Sequence, residues 1–244
     1  MRWALGLCCL LHSLPPAHAS PAPFGYLYQS AYSLDAQPRL PAEAYSPQPG
    51  DLILGSNPNL IWSTAYLIAG TGGPGHSAIV VSLPDGSPAV LEAGTSDRAV
   101  VAVTPLQCWF RRYKGKVWVR RRKTPLGEEE SNRLTEFALL NDGKRYAALR
   151  LLAQLTPFRA RGHFRTTYIG KPHGIRRRYY CTEIVLEALV YAGLLDRETT
   201  RPTATYPRDI FFDRSNIPHI DRHLGLVCDW HVPAFWTWCP CPQR

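Results

Sequence analysis

Between His76 and Ala93 the chain leaves little freedom in local structure. Two strand-like runs, 76–82 and 89–93, flank Leu83-Pro84-Asp85-Gly86-Ser87. Pro presets the first turn position, Asp tolerates the second and Gly takes the left-handed third, which fits a three-residue hairpin loop. Further strand-like segments follow at 99–104 and 116–121, and the short turns between them require antiparallel pairing. Before them, Leu52-Ile53-Leu54 reads as a short strand, and Asn57 can cap a helix through Leu60, Ile61, Ala65 and Ile68 that stops at Gly70.

The second half of the chain is helical in pattern. Residues 128–140 open with three acids, which suit a helix N-terminus, and 146–155 reads as a further helix. Residues 181–192 form the clearest helix, with Ile184, Val185, Ala188, Leu189 and Ala192 on one face and Gly193 as its stop. Residues 157–178 are polar and basic without period and read as a flap outside the core. Strands first and helices afterwards give an α+β fold, an antiparallel sheet packed against helices.

The chain's beginning reads as a secretory signal over 1–19: Arg2, a short apolar run from Trp3 to Leu14, and Ala17-His18-Ala19 as a cleavage site. A buried amphipathic helix is the alternative there. Cleavage before Ser20 makes the protein secreted or periplasmic, within the cell envelope, and removes Cys8 and Cys9. Cys108, Cys181, Cys228, Cys239 and Cys241 then remain where disulfides persist, and five leaves one thiol unpaired. Residues 20–48, rich in Pro, read as an arm on the surface, followed by the main domain at 49–215 and a packed C-terminal extension at 216–244. No apolar stretch reaches the roughly 18 residues of a membrane-spanning helix. The net charge of +9 favours anionic surroundings.

Chemistry centres on three residues. If Leu83 faces Ser87, the hairpin register puts Glu92 opposite Ala78 and diagonal to His76 on the same face, within reach of its ring. A two-residue Asp85-Gly86 turn would instead put them on opposite faces. A carboxylate that holds an imidazole is half of a nucleophilic site. Cys181 can supply the other half, because it opens a helix whose N-terminal N–H groups and dipole stabilise a thiolate, just after Arg176, Arg177 and Arg178. The same amides can cradle an oxyanion.

Gly50-Asp51-Leu52-Ile53, Gly75-His76-Ser77-Ala78-Ile79-Val80-Val81, Val90-Leu91-Glu92-Ala93, Gly143-Lys144-Arg145-Tyr146 and Tyr180-Cys181-Thr182-Glu183-Ile184-Val185, followed by Tyr206-Pro207-Arg208-Asp209, stand in that order. In order and spacing they resemble the circularly permuted NlpC/P60 cysteine hydrolases of the YiiX/YaeF-like group, over about residues 49–215. The resemblance implies a papain-like fold re-cut so that the strands precede the nucleophile helix. It also implies Cys181 as nucleophile, His76 as general base and Glu92 as the residue that orients it.

Other signals carry less. Gly70 to Gly75 is glycine-rich but follows a helix and opens a strand, the reverse of a dinucleotide loop. Cys228, His231, Cys239 and Cys241, with His219 and His223, match no common zinc spacing; export favours disulfides there, linking the tail to Cys228 and Cys108. Trp230, Trp236 and Trp238 read as packing, and the basic runs 111–123 and 159–178 as solvated surface. No nucleic-acid-binding motif is present. The resulting expectation is a cofactor-free, metal-free cysteine amidase or peptidase. Its substrate would be an anionic, amide-containing envelope peptide or N-acyl amino compound, cleaved through a Cys181 thioester. The alternatives are a lipid acyltransferase on the same fold and a non-catalytic envelope-binding module.

Overall fold

The structure, a computed structural model, describes residues 23–29, 41–56, 64, 66–69, 71–94, 99–157, 159, 161–215 and 224–240. The expected signal at 1–19, most of the helix expected from Asn57, and Cys241, His219 and His223 lie outside the described residues. The fold is α+β. Its strands are β1 (Tyr26–Gln29), β2 (Glu43–Ala44), β3 (Leu52–Gly55), β4 (His76–Ser82), β5 (Pro88–Ala93), β6 (Val101–Pro105), β7 (Val117–Arg120), β8 (Arg145–Tyr146), β9 (Arg178–Tyr179) and β10 (Ala234–Thr237). Eight of them form one antiparallel sheet in the order β2-β1-β10-β7-β3-β4-β5-β6, and β8 and β9 pair in parallel apart from it. The helices are α1 (Leu106–Arg112), α2 (Glu128–Asn141), α3 (Ala148–Ala153), α4 (His163–Tyr168), α5 (Cys181–Tyr191) and α6 (Pro207–Phe212).

The hairpin between β4 and β5 has the three-residue loop that Pro84-Asp85-Gly86 favours. Leu83 N–H donates to the Ser87 carbonyl at 2.8 Å, Gly86 takes φ +80°, and Ala78 lies opposite Glu92. Alternate residues of the central strands feed two cores. Leu52, Leu54, Ile79, Val81 and Leu91 pack beneath α2 and α5, whereas Ile53, Ala78, Val80 and Val90 pack with Trp109 and Phe110 of α1. With both faces covered, β3 and β7 are buried along their whole length, and their sequences run apolar without strict alternation.

Several expectations are corrected. The Pro-rich arm is not merely wrapped on the surface: β1 and β2 belong to the main sheet, with Leu27, Tyr28 and Tyr45 buried. The C-terminal extension likewise places β10 between β1 and β7. The basic run at 111–123 is not all solvated. Arg120 is buried and donates to the Ile210 carbonyl at 2.8 Å, and the Arg122 guanidinium lies 4.4 Å from the Trp230 ring centroid. The stretch at 157–178 contains α4 and β9, and it is tied down by Arg161, which donates to Asp209 at 2.7 Å in a buried pair. Cys108, Cys181, Cys228 and Cys239 are free thiols, so the bridges expected among Cys108, Cys228 and Cys239 are absent among the described residues.

Helix α5 is buried on every side rather than on one face, from Cys181 through Val190. That includes two acids. Glu183 accepts from Arg150 at 2.6 Å and from Arg176 at 2.7 Å, which a buried carboxylate needs to keep its charge. Gly193, at φ +80°, ends the helix as its sequence predicts.

Candidate active site

His76 opens β4 and Glu92 lies near the end of β5, displaced diagonally by one residue pair. The His76 Nε2–H donates to Glu92 Oε2 at 2.7 Å. Both side chains are withdrawn from solvent, 13% and 3% exposed, so the bond forms where water competes little. On Glu92, Trp109 supplies a further hydrogen bond and Arg112 approaches Oε1 at 3.7 Å. Burial raises the Glu92 carboxyl, but its bond to His76, the imidazole's charge, Trp109 and Arg112 outweigh that and hold it below the ordinary value.

Helix α5 packs on the other face of the sheet and brings its first residue, Cys181, to the end of β4. There the thiol hydrogen-bonds His76, and the Ser77 backbone N–H and the Thr182 hydroxyl also bond the sulfur. With Nε2 engaged by Glu92, Nδ1 is the nitrogen left for Cys181. The Ser77 and Thr182 hydroxyls lie 3.4 Å apart beneath it. Burial opposes charge on both members of this pair. The bonds to Cys181 and Glu92 nevertheless lift the His76 imidazole to about 10, and the imidazolium together with Ser77 and Thr182 pulls the Cys181 thiol below its usual value. Both shifts act towards a thiolate facing an imidazolium.

Three residue types expected to meet therefore do meet: Cys181, His76 and Glu92 form one continuous hydrogen-bonded chain. The aromatic frame around them was not read from the sequence. Tyr113 stacks on His76, and Trp109 stacks on Tyr113. Their four-residue separation on one helical turn was the available signal. Tyr66 donates to the carbonyl of Gly75, just before His76. Three glycines make room for this frame: a β-carbon on Gly55 would fall 2.0 Å from the Tyr113 hydroxyl, on Gly75 2.5 Å from the Tyr66 ring, and on Gly94 2.6 Å from the Tyr146 ring.

Of the residues weighed as metal ligands, Cys228, His231 and Cys239 are described, and no group of three or more His, Cys, Asp or Glu is placed to hold a metal among the described residues. No described helix is long and apolar enough to cross a membrane. Arg176, read from the sequence as part of a solvated basic run, spends its guanidinium on Glu183 and the Pro172 carbonyl.

No family model matches the sequence, and no curated protein does. Among solved structures, the chain is similar to the crystal structure of the metalloprotein YiiX from Escherichia coli O157:H7. The two are 25% identical over 61% of this chain and 67% of the other, with a TM-score of 0.42.

Proposed function

We propose that this chain is an exported cysteine hydrolase of the circularly permuted NlpC/P60, papain-like kind, acting on an amide bond in an envelope peptide or an N-acyl amino compound. The observation that supports the reading is the buried chain Cys181, His76, Glu92, in which the thiol is shifted down and the imidazole up. The thiolate attacks the acyl carbon, and the resulting oxyanion faces the N–H groups that open α5. The C–N bond breaks as the imidazolium proton passes to the leaving nitrogen, giving a thioester and a free amine. His76, now neutral, takes a proton from water as its oxygen attacks the thioester. The carboxylic acid leaves and the thiolate and imidazolium are restored. Glu92 keeps the ring in place throughout. Export rests on the signal-like residues 1–19 of the sequence.

Mass spectrometry of the pure mature protein, incubated with cell-wall fragments and separately with N-acyl amino compounds, tests the reading. An acyl adduct on the Cys181 peptide, absent in Cys181→Ala, is the expected result. No adduct with either substrate or with a thiol-directed acyl electrophile would instead favour a non-catalytic binding module.

A further inference from the structure

Arg111, Arg112, Lys114 and Lys116 follow one another at the end of α1 with no acid among them, and all four are exposed. A helix C-terminus favours the first two, but Lys114 and Lys116 lie beyond it. Among the described residues a single acid pairs with any of them: the buried Glu92, whose Oε1 is 3.7 Å from the Arg112 guanidinium. The turn is built against the site. Gly55 pairs with His76 on one side and with Val117 on the other, so Lys116 stands two strands from His76, about 10 Å at the backbone. The Lys116 N–H donates to Ser56 Oγ at 2.8 Å, and the Ser56 N–H donates to the Lys116 carbonyl at 2.9 Å. A β-carbon on Gly115 would fall 1.9 Å from the Ser56 carbonyl oxygen, to which the Tyr113 hydroxyl also donates. The backbone beneath the two lysines is thereby fixed, with Tyr113 stacked on His76 beside it.

We propose that this cationic edge binds an anionic group, a carboxylate or a phosphate, on the amine half of the substrate, an assignment that rests on the cysteine-hydrolase reading. The leaving nitrogen takes its proton from His76, so the half of the substrate attached to it lies against the imidazole, which Tyr113 flanks directly and Arg112 flanks through Glu92. In its thiolate form the site has one imidazolium between two anions and would repel a negative substrate. Arg112, Lys114 and Lys116 reverse that field at the edge where the amine half enters. A role confined to steadying Glu92 explains Arg112 but not the two lysines, which have no contact with it. The substrate class is thereby an N-acylated amine that carries its own negative charge, such as an N-acyl amino acid or an N-acylated amino phosphate ester.

Three acetyl esters that carry their charge on the leaving half test this with the mature protein: p-acetoxybenzoate, p-acetoxyphenyl phosphate and the neutral p-acetoxybenzamide. For each anion, kcat/KM is divided by that of the benzamide, and the ratio is compared with the same ratio for free cysteine. One exposed ion pair is worth up to about fivefold, so several cations together should give about tenfold preference for an anion at low salt, shrinking as salt is added. Arg112→Gln, and separately the combined Arg111→Gln, Lys114→Gln and Lys116→Gln, should each lower the preference about fivefold. Any loosening of Glu92 in Arg112→Gln slows all three esters alike, so the ratio reports recognition. The better of the two anions names the group as carboxylate or phosphate. A preference no larger than that of free cysteine, or one that survives both variants, would overturn the role of the edge and leave the hydrolase reading standing. Alkylation of Cys181 by iodoacetate against iodoacetamide reads the same field without turnover, and an iodoacetate preference unchanged in both variants would likewise overturn it. Absence of any Cys181-dependent ester cleavage would overturn the hydrolase reading, and the substrate assignment with it.

Discussion

The Tyr113 ring lies nearly parallel to the His76 imidazole, with 6.0 Å between centroids and 25° between planes. Tyr113 stacks in turn on Trp109 at 4.6 Å and 11°, and Trp109 hydrogen-bonds Glu92. A single turn at the end of α1 thus steadies both the His76 ring and the Glu92 carboxylate. The Tyr113 hydroxyl is fixed by the Ser56 carbonyl at 3.0 Å.

Replacing Tyr113 by Leu should therefore lower kcat about tenfold, equivalent to about 1.4 kcal/mol of barrier, with KM nearly unchanged. Tyr113→Phe keeps the stacked ring and should restore most of the loss. Gly55→Ala would put a methyl group into the Tyr113 hydroxyl, so its unfolding midpoint in urea should fall and its activity with it. Steady-state kinetics of the three variants check the ordering.

Cys181→Ala and His76→Ala should each cost about a thousandfold or more in turnover, because nucleophile and base act as a unit. Glu92→Gln should cost less, since the base survives when its orienter is weakened. Near-normal turnover by folded Cys181→Ala would end the cysteine-hydrolase reading.

The pH profile of kcat/KM should be bell-shaped and displaced from that of two free side chains. On the acid side, activity persists below the ordinary thiol range, because the Cys181 thiol is pulled down by His76 after overcoming burial. On the alkaline side it falls only near pH 10, where His76 loses its proton. The folded imidazole sits above its unfolded value of 6.5, so its contribution to stability is complete below that pH and vanishes as pH rises through about 10. Alkylation rates and urea midpoints across this range measure the two effects separately.

Glu187 titrates in the opposite sense to a paired surface acid. Burial pushes its carboxyl up to about 7, although the Gly174 N–H, at 3.2 Å, and Arg176 pull it down. The folded state therefore loses stability as pH rises from the ordinary 4.5 through about 7. Glu187→Gln should be about 3 kcal/mol more stable than the wild type at pH 8, the difference disappearing below pH 4.5, read from urea midpoints. His173, 3.6 Å away and kept neutral by burial, does not cancel the effect at pH 8.

Arg176→Met tests a structural role against a substrate-recruiting one. Removing one of two guanidiniums from buried Glu183 should destabilise the fold by about 1–3 kcal/mol. A variant of normal stability that captures substrate poorly at low salt would favour recruitment instead.

The geometry of His76 and Glu92 was legible because loop chemistry is local: Pro84, Asp85 and Gly86 favour the three-residue loop over a two-residue Asp85-Gly86 turn, and register decides which face each side chain takes. Cys181 was legible because a helix start is written in the few residues around it. The burial of Glu183 and Glu187 was not, since their cover comes from Arg150, Arg176 and Gly174 in segments without periodicity. Nor were β1 and β10, each four residues long, whose pairing joins Leu27 to Trp236 across almost the whole chain. Local pattern carries no information about a partner so remote.

That last pairing sets an order of events during synthesis. Strands β3 to β7 can associate with one another first, but β1 reaches them only through β10, which follows them in the chain. Strand β1 must therefore wait for one that follows it by almost the whole described chain. A chain that stalls before Ala234 would carry β1 and β2 without their link to the sheet, leaving Leu27 and Tyr28 uncovered for chaperones or proteases to find.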